Sequence, residues 1–557
     1  MTSSAREAGA PVAILGSGAA GAILARLLRA RGRPVALIER GRHPRFALGE
    51  SSTPLAAICL ERLAETHGLP DLAALATYGR WTARLGHLRR GLKRGFGFYG
   101  HAPGRRWANG ARNESRLLVA ASPDDEVADA HWMRSDVDAH LVERAVEEGV
   151  ELLDELALDT LERRGARWRL EGTRRGRRLS IDASFVVDAT GGAAWVARQL
   201  GIARRTPGTW PSGMPATGLV YGHFDGAGSF AEAARAGGAE LPAGPYPEER
   251  AAIHHLLEEG WMYVLPFDDG RVSAGLVLDL AHRDVAAILR LPPERAWRAV
   301  LDRYPTLAEQ FAPARAARPV AAVAGLQHRH ERAAGHGWAL LPHTYFFASP
   351  MFSTGIAWSL VAAERLAGIL APVREPRGGD RPAALATYDA LLATEADFLE
   401  ELVAPAYALR RDFDAFAAWT YVYFAAASYT EARQRLEPAP GPGGWAGEGF
   451  LGSTDPEIRR AARAAHEVLR LERTARPAGV EAEGGKPASP ASDPARAARL
   501  EGRVRAVLAR RNAAGLADPA RHRSYPVDPE ALVAAAGLFG RSAEEMRAAL
   551  PRLRGAG

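Results

Sequence analysis

The hydrophobic and polar positions of the first forty residues predict a strand, a helix and a second strand. Pro11 to Leu15 and Val35 to Ile38 are short apolar runs, and between them Ala19 to Ala30 repeats apolar residues at helical spacing. A glycine-rich turn separates the first run from the helix. This order is typical of a βαβ unit that opens a parallel sheet.

Further helices are predicted where apolar residues recur at three- or four-residue steps. Pro54 to His67 has this pattern, and within Asp136 to Glu148 the apolar residues Val137, Leu141 and Ala145 are four positions apart. Helical patterns also cover Gly355 to Ala371, 384 to 435 and 455 to 473.

The strand-like segments fall into two groups. Residues 150 to 187 are expected to form short strands with turns at Arg164-Gly165 and Arg175-Gly176. Between about 205 and 330 the pattern changes to longer strands, and we expect an inserted sheet that covers a substrate. These strands are predicted at Gly218 to Phe224, Met262 to Pro266 and Val272 to Asp279.

Composition narrows the classes of function. At 557 residues, 47% hydrophobic and 24% charged, the chain resembles a globular protein with two or three packed units. The net charge of +6 comes with no nucleic-acid motif, so no nucleic-acid partner is expected. A single cysteine, Cys59, argues against a disulfide framework or a thiolate metal cluster and fits a reducing cytoplasm. No metal site is predicted.

No segment has the length or composition of a membrane span or a secretory signal. Met1 to Ala10 lacks a basic region followed by an apolar stretch. The longest apolar run, Ala415 to Ala427, includes Thr420 and is shorter than the ~20 residues that cross a bilayer. We therefore expect a cytoplasmic protein without a membrane partner.

The turn after the first predicted strand has the pattern of a dinucleotide site. Gly16, Gly18 and Gly21 permit a tight turn and a close approach of a pyrophosphate to the backbone N–H groups at the helix N-terminus. Glu39, at the end of the second strand, is placed to accept hydrogen bonds from a ribose.

Two later motifs favour FAD over NAD. The segment Val186-Val-Asp188-Ala-Thr190-Gly191 resembles the second motif of FAD-dependent hydroxylases and halogenases. Trp132-Met-Arg134-Ser-Asp136-Val-Asp138 is similar to a further motif of these enzymes, whose arginine approaches the flavin. No second intact glycine fingerprint for NAD(P)H is visible, so a separate flavin reductase is expected as a partner.

With these motifs the chain resembles the flavin-dependent halogenase family over roughly residues 10 to 430. Gly49-Glu50-Ser51-Ser-Thr53-Pro54 resembles the family's strap beside the flavin, which adds Glu50 and Ser51 to the candidate cofactor residues. Trp261-Met-Tyr263-Val-Leu-Pro266 is similar to the family's Trp-x-Trp-x-Ile-Pro signature. Ser349-Pro-Met-Phe352-Ser-Thr354-Gly355-Ile356 resembles the loop whose amides hold halide near the flavin.

Lys93 matches the family's catalytic lysine. Of 71 basic residues only Lys93 and Lys486 are lysines, and Lys486 lies in a stretch rich in glycine, proline and alanine that is typical of a linker. The resemblance implies that reduced FAD (FADH2) and dioxygen give a flavin peroxide. Halide, chloride or bromide, at Thr354 and Gly355 would then form hypohalous acid that is relayed to Lys93. An ammonium suits this role, since its pKa falls readily on burial, whereas that of arginine does not.

Three departures bear on the substrate. Tyr263 replaces the second tryptophan of the signature, and Pro342-His343-Thr344 replaces a Gly-Asp-Ala found in many relatives. Phe352 stands where halogenases of free tryptophan have a glutamate. A phenylalanine at this position is similar to the phenol and pyrrole halogenases. The missing glutamate points to an electron-rich aromatic substrate, either free, tethered to a carrier or part of a peptide. The predicted pocket consists of Trp261, Tyr263, Phe352 and Trp419.

Two other enzyme classes remain open at this point. One is a related FAD-dependent monooxygenase that hydroxylates an aromatic group on a small molecule, peptide or protein. The other is a flavin oxidoreductase of the geranylgeranyl reductase type, which shares the fold and the Gly-Glu-Ser turn.

The resulting fold class is α/β, with a Rossmann-type FAD-binding domain, an inserted β-sheet substrate domain and a C-terminal helical region. The predicted boundaries are 1–204 and 331–380 for the two parts of the FAD-binding domain, 205–330 for the insert, 381–475 for the helical region, 476–495 for a linker and 496–557 for a helical tail.

Overall fold

The computed structural model of the protein describes residues 9–205, 210, 212–371, 380–437, 447–474 and 493–553. Most of the predicted linker at 476–495, with Lys486, lies outside these residues. The strands are β1 Val12–Leu15, β2 Val35–Ile38, β3 Arg90–Lys93, β4 Gly95–Gly100, β5 Arg116–Ala120, β6 Asp129–Trp132, β7 Glu151–Leu153, β8 Leu156–Arg164, β9 Arg167–Arg174, β10 Arg177–Ala183, β11 Phe185–Asp188, β12 Arg204–Arg205, β13 Thr217–Asp225, β14 Ala252–Leu256, β15 Gly260–Pro266, β16 Arg271–Asp279, β17 Arg315–Ala316, β18 Ala321–Ala324, β19 His328–His330, β20 Ala334–Gly335, β21 Trp338–Leu340, β22 Phe346–Phe347 and β23 Ser524–Tyr525.

The helices confirm the segments predicted from periodicity to within a few residues. They are α1 Ala19–Ala30, α2 Pro54–His67, α3 Pro70–Ala74, α4 Tyr78–Arg84, α5 Arg134–Glu147, α6 Trp195–Gln199, α7 Phe230–Ala236, α8 Val285–Ile288, α9 Pro293–Leu301, α10 Pro305–Phe311, α11 Pro342–Tyr345, α12 Gly355–Leu370, α13 Asp380–Leu409, α14 Phe413–Leu436, α15 Pro456–Thr474, α16 Pro494–Leu508, α17 Pro529–Ala534 and α18 Ala543–Leu553.

A six-stranded sheet in the order β20-β21-β11-β1-β2-β7 carries the glycine-rich turn between β1 and α1. Its inner strands β11, β1 and β2 are parallel and buried along their whole length. Helix α1 packs against α5 and α12 beside this sheet. Strands buried on both faces in this way read as continuous apolar runs, as the sequence does here. The expected Rossmann-type α/β fold is confirmed.

A separate three-stranded sheet in the order β10-β9-β8 confirms the short strands expected between 150 and 187. Its two turns include Gly165 and Gly176, whose φ angles are +60° and +78°. A positive φ favours glycine, so the predicted turn positions follow from local backbone chemistry.

The largest sheet has nine strands and does not consist of the insert alone. Its order is β17-β13-β16-β15-β14-β4-β5-β23, with β18 also paired to β13. Strands β4 and β5 come from residues before 205, and β23 comes from the C-terminal tail. This corrects the expectation of a sheet within 205–330 and of a purely helical tail. Such pairings between distant segments leave no local periodicity from which to predict them.

The C-terminal segment is joined to the rest of the structure by buried polar contacts. Arg523 is buried, and its guanidinium binds Asp414 at 2.5 Å and Glu501 at 3.0 Å. A cluster of apolar side chains, including Leu436 and Met546, packs α14 against α18. Within the described residues, no helix combines the length and hydropathy needed to cross a membrane.

Candidate functional site

A cavity of about 680 Å³ lies between the glycine-rich turn, the large sheet and the helical region. It brings together most of the residues that the sequence singled out. The candidate residues in its wall are Gly18, Gly21, Glu50, Ser51, Arg134, Gly191, Trp261, Tyr263, Phe352, Thr354 and Gly355.

The glycine-rich turn has the geometry of a phosphate-binding loop. Gly16 has φ of +98°, and a Cβ there would lie 2.5 Å from the carbonyl oxygen of Ala189. A Cβ on Gly21 would lie 2.0 Å from the carbonyl oxygen of Gly16. Gly18 caps α1 without any side-chain hydrogen bond, which leaves the first N–H groups of this helix open toward the cavity. A helix N-terminus of this kind favours a bound anion.

Two guanidinium groups add positive charge above this turn. A Cβ on Gly18 would be 3.5 Å from Nη2 of Arg134 and 3.6 Å from Nη2 of Arg45. Arg134 is held by Asp138 at 2.8 and 2.9 Å and donates to the carbonyl oxygen of Leu48 at 2.7 Å. A diphosphate at this position would therefore meet free backbone N–H groups and two cations, so the residues present fit the pyrophosphate of FAD.

Glu39 lies next to the cavity rather than in its wall. Its carboxylate accepts from the N–H and hydroxyl of Ser17 at 3.2 and 2.9 Å, from the N–H of Gly41 at 2.9 Å and from Arg45 at 3.2 Å. These donors lower the pKa of Glu39, although burial opposes them. Its contact with a ribose stays a prediction.

The two candidate residues of the strap at residues 49–54, Glu50 and Ser51, have different surroundings. The Glu50 carboxylate points into the large sheet, where it binds Nε2 of His223 at 2.8 Å and accepts from Ser273 at 2.6 Å. The hydroxyl oxygen of Ser51 is buried in the cavity wall and has no hydrogen-bond partner among the described residues. A buried polar atom without a partner is costly, so Ser51 fits a contact with bound cofactor.

Asp188 and Gly191, both predicted from one motif to bind the cofactor, differ in position: Gly191 lines the cavity and Asp188 does not. The Asp188 side chain accepts from Thr190 N–H at 2.9 Å, from the Thr190 hydroxyl at 2.6 Å and from Val196 N–H at 2.6 Å. It is fully buried and faces away from the cavity, so it shapes the turn that carries Gly191. Direct contact of Asp188 with the cofactor stays a prediction.

Thr354 and Gly355 form the N-terminus of the 16-residue helix α12 at the cavity wall. Ser353 before them has φ of +53°, and Thr354 gives the helix no side-chain cap. A Cβ on Gly355 would lie 2.5 Å from Nε2 of His343. Burial, with the nearby charge of Arg134, lowers the pKa of His343 to about 4. His343 is thus a neutral group beside the proposed halide position. The sequence analysis noted it only as part of the segment that replaces the Gly-Asp-Ala of many relatives.

The aromatic residues form one wall of the cavity. Trp261 donates its indole N–H to the hydroxyl of Tyr407 at 2.8 Å, and its ring stacks on His254 at 5.5 Å. Phe352 stacks on Tyr423 at 4.4 Å, and the Tyr423 hydroxyl donates to the Phe352 carbonyl oxygen at 2.9 Å. The two hydrogen bonds fix the orientation of these rings, which gives the site a rigid apolar side.

Trp419 is not part of this wall among the described residues. It is buried behind it, with its indole N–H bound to the carbonyl oxygen of Leu402 at 2.8 Å and its ring 5.8 Å from that of His466. Leu402 is the residue that reaches the cavity. The prediction that Trp419 contacts substrate is therefore corrected to a supporting position.

Lys93 is fully buried at the end of β3. Its ammonium donates to the carbonyl oxygen of Ser52 at 2.5 Å and lies 4.0 Å from the centre of the Phe96 ring. Burial lowers the pKa of Lys93 to about 8, although Asp129 and Glu431 oppose the shift. Among the described residues, Lys93 does not line the large cavity itself. The strap that carries Ser51 into that cavity is the segment that holds Lys93.

A second cavity of about 170 Å³ lies near Lys93, which among the described residues lines neither cavity. Thr53 and Pro54 of the strap line it, as do Phe96 and Tyr423, and Tyr423 is shared with the large cavity. Its polar wall includes Asp129, Glu431 and Arg435. The sequence analysis missed these three residues, because no motif marks them.

Comparisons with known proteins find similarity to an FAD-binding domain and to halogenases. A model for an FAD binding domain matches residues 9–217. The chain is 27% identical over 370 residues to the tetracycline 7-halogenase of Kitasatospora aureofaciens, and the match covers 64% of this chain and 64% of the relative. It is 26% identical to the monodechloroaminopyrrolnitrin halogenase PrnC of Pseudomonas fluorescens, with 64% of this chain and 61% of the relative covered.

Among solved structures, the fold is similar to that of the halogenase PltM in complex with phloroglucinol and FAD. The TM-score is 0.74 at 22% identity, and the match covers 92% of this chain and 99% of that chain. This similarity supports the fold. The matches to the two curated relatives span somewhat less than two thirds of their lengths.

Proposed function

We propose that this chain halogenates an electron-rich aromatic compound of the phenol or pyrrole type. The premise is that the chain is a homologue of the flavin-dependent halogenases and has an FAD-binding domain. The reaction would consume FADH2, dioxygen and chloride or bromide. A separate reductase would supply the reduced flavin, and the substrate would arrive free, tethered to a carrier or within a peptide.

The observation that carries this proposal is the position of Lys93. A rare lysine is buried against the strap at residues 49–54, which contributes to the walls of both cavities. It donates to the carbonyl oxygen of Ser52 and lies close to the ring of Phe96. Since burial lowers its pKa to about 8, Lys93 loses its proton far more readily than an exposed lysine. A group that exchanges a proton near neutral pH is suited to binding and directing hypohalous acid.

The other residues would bind and orient. Gly18, Gly21 and Arg134 would hold the pyrophosphate, and the N–H groups at Thr354 and Gly355 would face halide. When bound, reduced FAD supplies the two-electron chemistry that turns halide and dioxygen into hypohalous acid. Trp261 and Phe352 would exclude water from that side of the site, because both are buried rings.

Replacement of Lys93 tests the proposal. We expect Lys93→Ala and Lys93→Arg to lose halogenated product by on the order of 100-fold or more, since neither residue provides a proton-exchanging amine at that position. FAD affinity and the release of hydrogen peroxide from reduced flavin should stay near wild type. Product is measured by mass spectrometry with chloride and with bromide, whose isotope patterns identify the halogen.

Lys486→Ala is the matched control, since it removes the other lysine of the chain. Oxygenated product that survives in the Lys93 variants, with no halogen in the wild-type product, would show a hydroxylase instead. A flavin oxidoreductase of the geranylgeranyl reductase type would give neither product but would change the saturation of its substrate.

A further inference from the structure

The second cavity is lined by two carboxyl groups close to Lys93, that of the buried Asp129 and that of the partly buried Glu431. Asp129 is the residue opposite Lys93 in the antiparallel pair of β6 and β3. It is only 3% exposed, and its Oδ2 atom has no hydrogen-bond partner among the described residues. Glu431 reaches the same cavity from α14. A buried carboxylate oxygen without a partner is rare in proteins and indicates a group that a ligand satisfies.

The pKa values of both carboxyl groups in this cluster are raised, so neither group is fully ionised at neutral pH. Burial raises the pKa of Asp129 to about 7 and that of Glu431 to about 8, and the charge of Asp129 adds to the shift of Glu431. Lys93 lowers both. Around neutral pH Asp129 is therefore partly ionised and able to accept a hydrogen bond, whereas Glu431 is largely protonated and able to donate one.

The remaining titratable groups around the pair do not cancel this arrangement. Arg435 lines the cavity but is bound to Glu61 at 3.3 Å. His131 lies between Ala130 and Trp132 on β6, and burial lowers its pKa to about 3, so it is neutral. His254 beside Phe96 is neutral for the same reason. Tyr525 and Asp528 line the part of the cavity that the C-terminal segment closes.

The size and walls of the cavity define the ligand. Its volume of about 170 Å³ is close to that of a protein cavity of about 150 Å³ known to bind benzene, so it accommodates one six-membered aromatic ring. Phe96, Tyr423 and Phe424 supply ring faces. A single ring with a hydroxyl group would place the ring among these aromatics and the hydroxyl at the carboxyl pair.

We propose that Asp129 and Glu431 form an acid–base pair that binds the hydroxyl group of a monocyclic phenol and exchanges protons with it during halogenation. This inference deepens the proposed function and depends on it for the supply of hypohalous acid. It also moves the ring that reacts from the large cavity, where the sequence placed it, to the second cavity.

The proton transfers balance over one turnover. A ring carbon attacks the halogen of hypohalous acid, so that a carbon–halogen bond forms and the halogen–oxygen bond breaks. The protonated carboxyl group gives its proton to the departing hydroxide, which becomes water, and the ionised carboxylate takes the phenol proton. The ring proton then passes to the carboxylate that gave up its proton, and the other carboxyl group returns a proton to the oxygen. The net change is an aromatic C–H bond and hypohalous acid converted into a carbon–halogen bond and water.

Binding is tested first without turnover, using 4-nitrophenol and the FAD-loaded protein. The absorbance of this phenol reports whether it is ionised. We expect it to bind in its neutral form, because a buried phenolate beside the carboxyl pair is unfavourable, with its apparent pKa raised by about 1 unit or more. In Asp129→Asn and Glu431→Gln the affinity should fall about 10-fold or more, since a hydrogen bond to a charged acceptor contributes more than a neutral one.

Turnover is tested with a series of monocyclic phenols, reduced flavin and halide. We expect wild-type kcat to rise with pH through about 7, as a carboxylate ionises, and to fall above about 8, as Lys93 loses its proton. The double variant Asp129→Asn and Glu431→Gln should lose on the order of 100-fold in kcat and lose the rise near neutral pH. Hypohalous acid trapped by an added 1,3-diketone should persist in the variants.

Asp125→Asn and Glu437→Gln are the matched controls, since both carboxylates form surface ion pairs outside the cavity. A wild-type protein that neither halogenates nor forms hypohalous acid would refute the proposed function. A wild-type protein that halogenates phenols, with an unchanged pH profile and unchanged 4-nitrophenol binding in both carboxyl variants, would refute the acid–base pair alone. If Asp129→Asn fails to fold, Glu431→Gln decides by the same two measurements.

Discussion

At the scale of single residues, the reactivity of an ionisable side chain depends on whether it is buried away from water, because burial shifts its pKa. Lys93 stands out in the sequence because lysine is rare in it, and its burial explains why arginine is not there instead. A guanidinium keeps its proton even when buried, whereas the pKa of a buried ammonium falls. Asp129 and Glu431 carry no comparable sequence signal, since aspartate and glutamate are common in this chain.

The buried carboxyl group of Asp129 has a consequence for stability. Its pKa is raised to about 7 in the folded protein, so the folded state binds more protons than the unfolded state between about pH 4 and pH 7. Stability from this group is therefore present at low pH and is lost as pH rises through 7. Asp129→Asn removes the titrating group and therefore removes this loss of stability at higher pH. Relative to wild type, the variant should gain on the order of 2 kcal/mol between about pH 5 and pH 8.

Thermal unfolding of wild type and Asp129→Asn at several pH values measures this trend. Lys93 acts in the opposite sense, since its lowered pKa makes stability rise with pH above about 8. The comparison is therefore made at or below that pH. A difference between variant and wild type that shrinks as pH rises would contradict the assignment.

At the scale of elements, the site is built where helices begin. The N-termini of α1 and α12 both open into the large cavity, and neither has a side-chain cap. Their unpaired N–H groups supply partial positive charge without a charged side chain. Glycine is required at Gly21 because α1 approaches the backbone of Gly16 so closely.

Replacing Gly21 tests this construction. A Cβ at Gly21 would lie 2.0 Å from the Gly16 carbonyl oxygen, so Gly21→Ala should force the turn and α1 apart. We expect FAD affinity, measured by fluorescence titration, to fall by about 10-fold or more, equivalent to about 1.4 kcal/mol. Gly368→Ala in α12 is the control, because nothing lies within 4 Å of its Cβ. That variant should keep FAD affinity and gain up to about 1 kcal/mol of helix stability.

At the scale of the whole molecule, distant segments share one sheet and one pair of cavities. The C-terminal segment adds β23 beside β5 and contributes Leu516, Tyr525 and Leu532 to the second cavity. Arg523 connects it to α14 and α16 through two buried carboxylates. The tail is thus part of the wall around the proposed substrate.

Removal of the Arg523 side chain should loosen this connection. Arg523→Ala leaves Glu501 buried without its cation and leaves Asp414 with the longer contact to Arg496 at 3.4 Å, and breaking a buried pair costs about 3–5 kcal/mol. We expect a lower unfolding temperature, weaker 4-nitrophenol binding and unchanged FAD affinity, since the flavin-side cavity lies apart from Arg523. Arg547→Ala is the control, because its partner Glu530 is largely exposed. A fall in FAD affinity as large as the fall in 4-nitrophenol affinity would contradict the assignment of Arg523 to the second cavity alone.

The sequence by itself determined the elements whose signals are local. Strand β1, helix α1 and the glycine turn follow from periodicity and from the need for close backbone approach, and the FAD-binding fold follows from these and the motifs around Arg134 and Gly191. Most candidate residues meet in one cavity for the same reason.

Tertiary structure alone decided which side chains face which cavity. Asp188 turned inward and Trp419 lies behind Leu402, because direction depends on packing against segments far along the chain. The register of β3 with β6 sets Asp129 opposite Lys93, and the packing of α14 brings Glu431 to them. Glu431 is more than 300 positions from Lys93 and Asp129 in the chain, so only the folded chain places this proton-exchanging cluster beside an aromatic pocket.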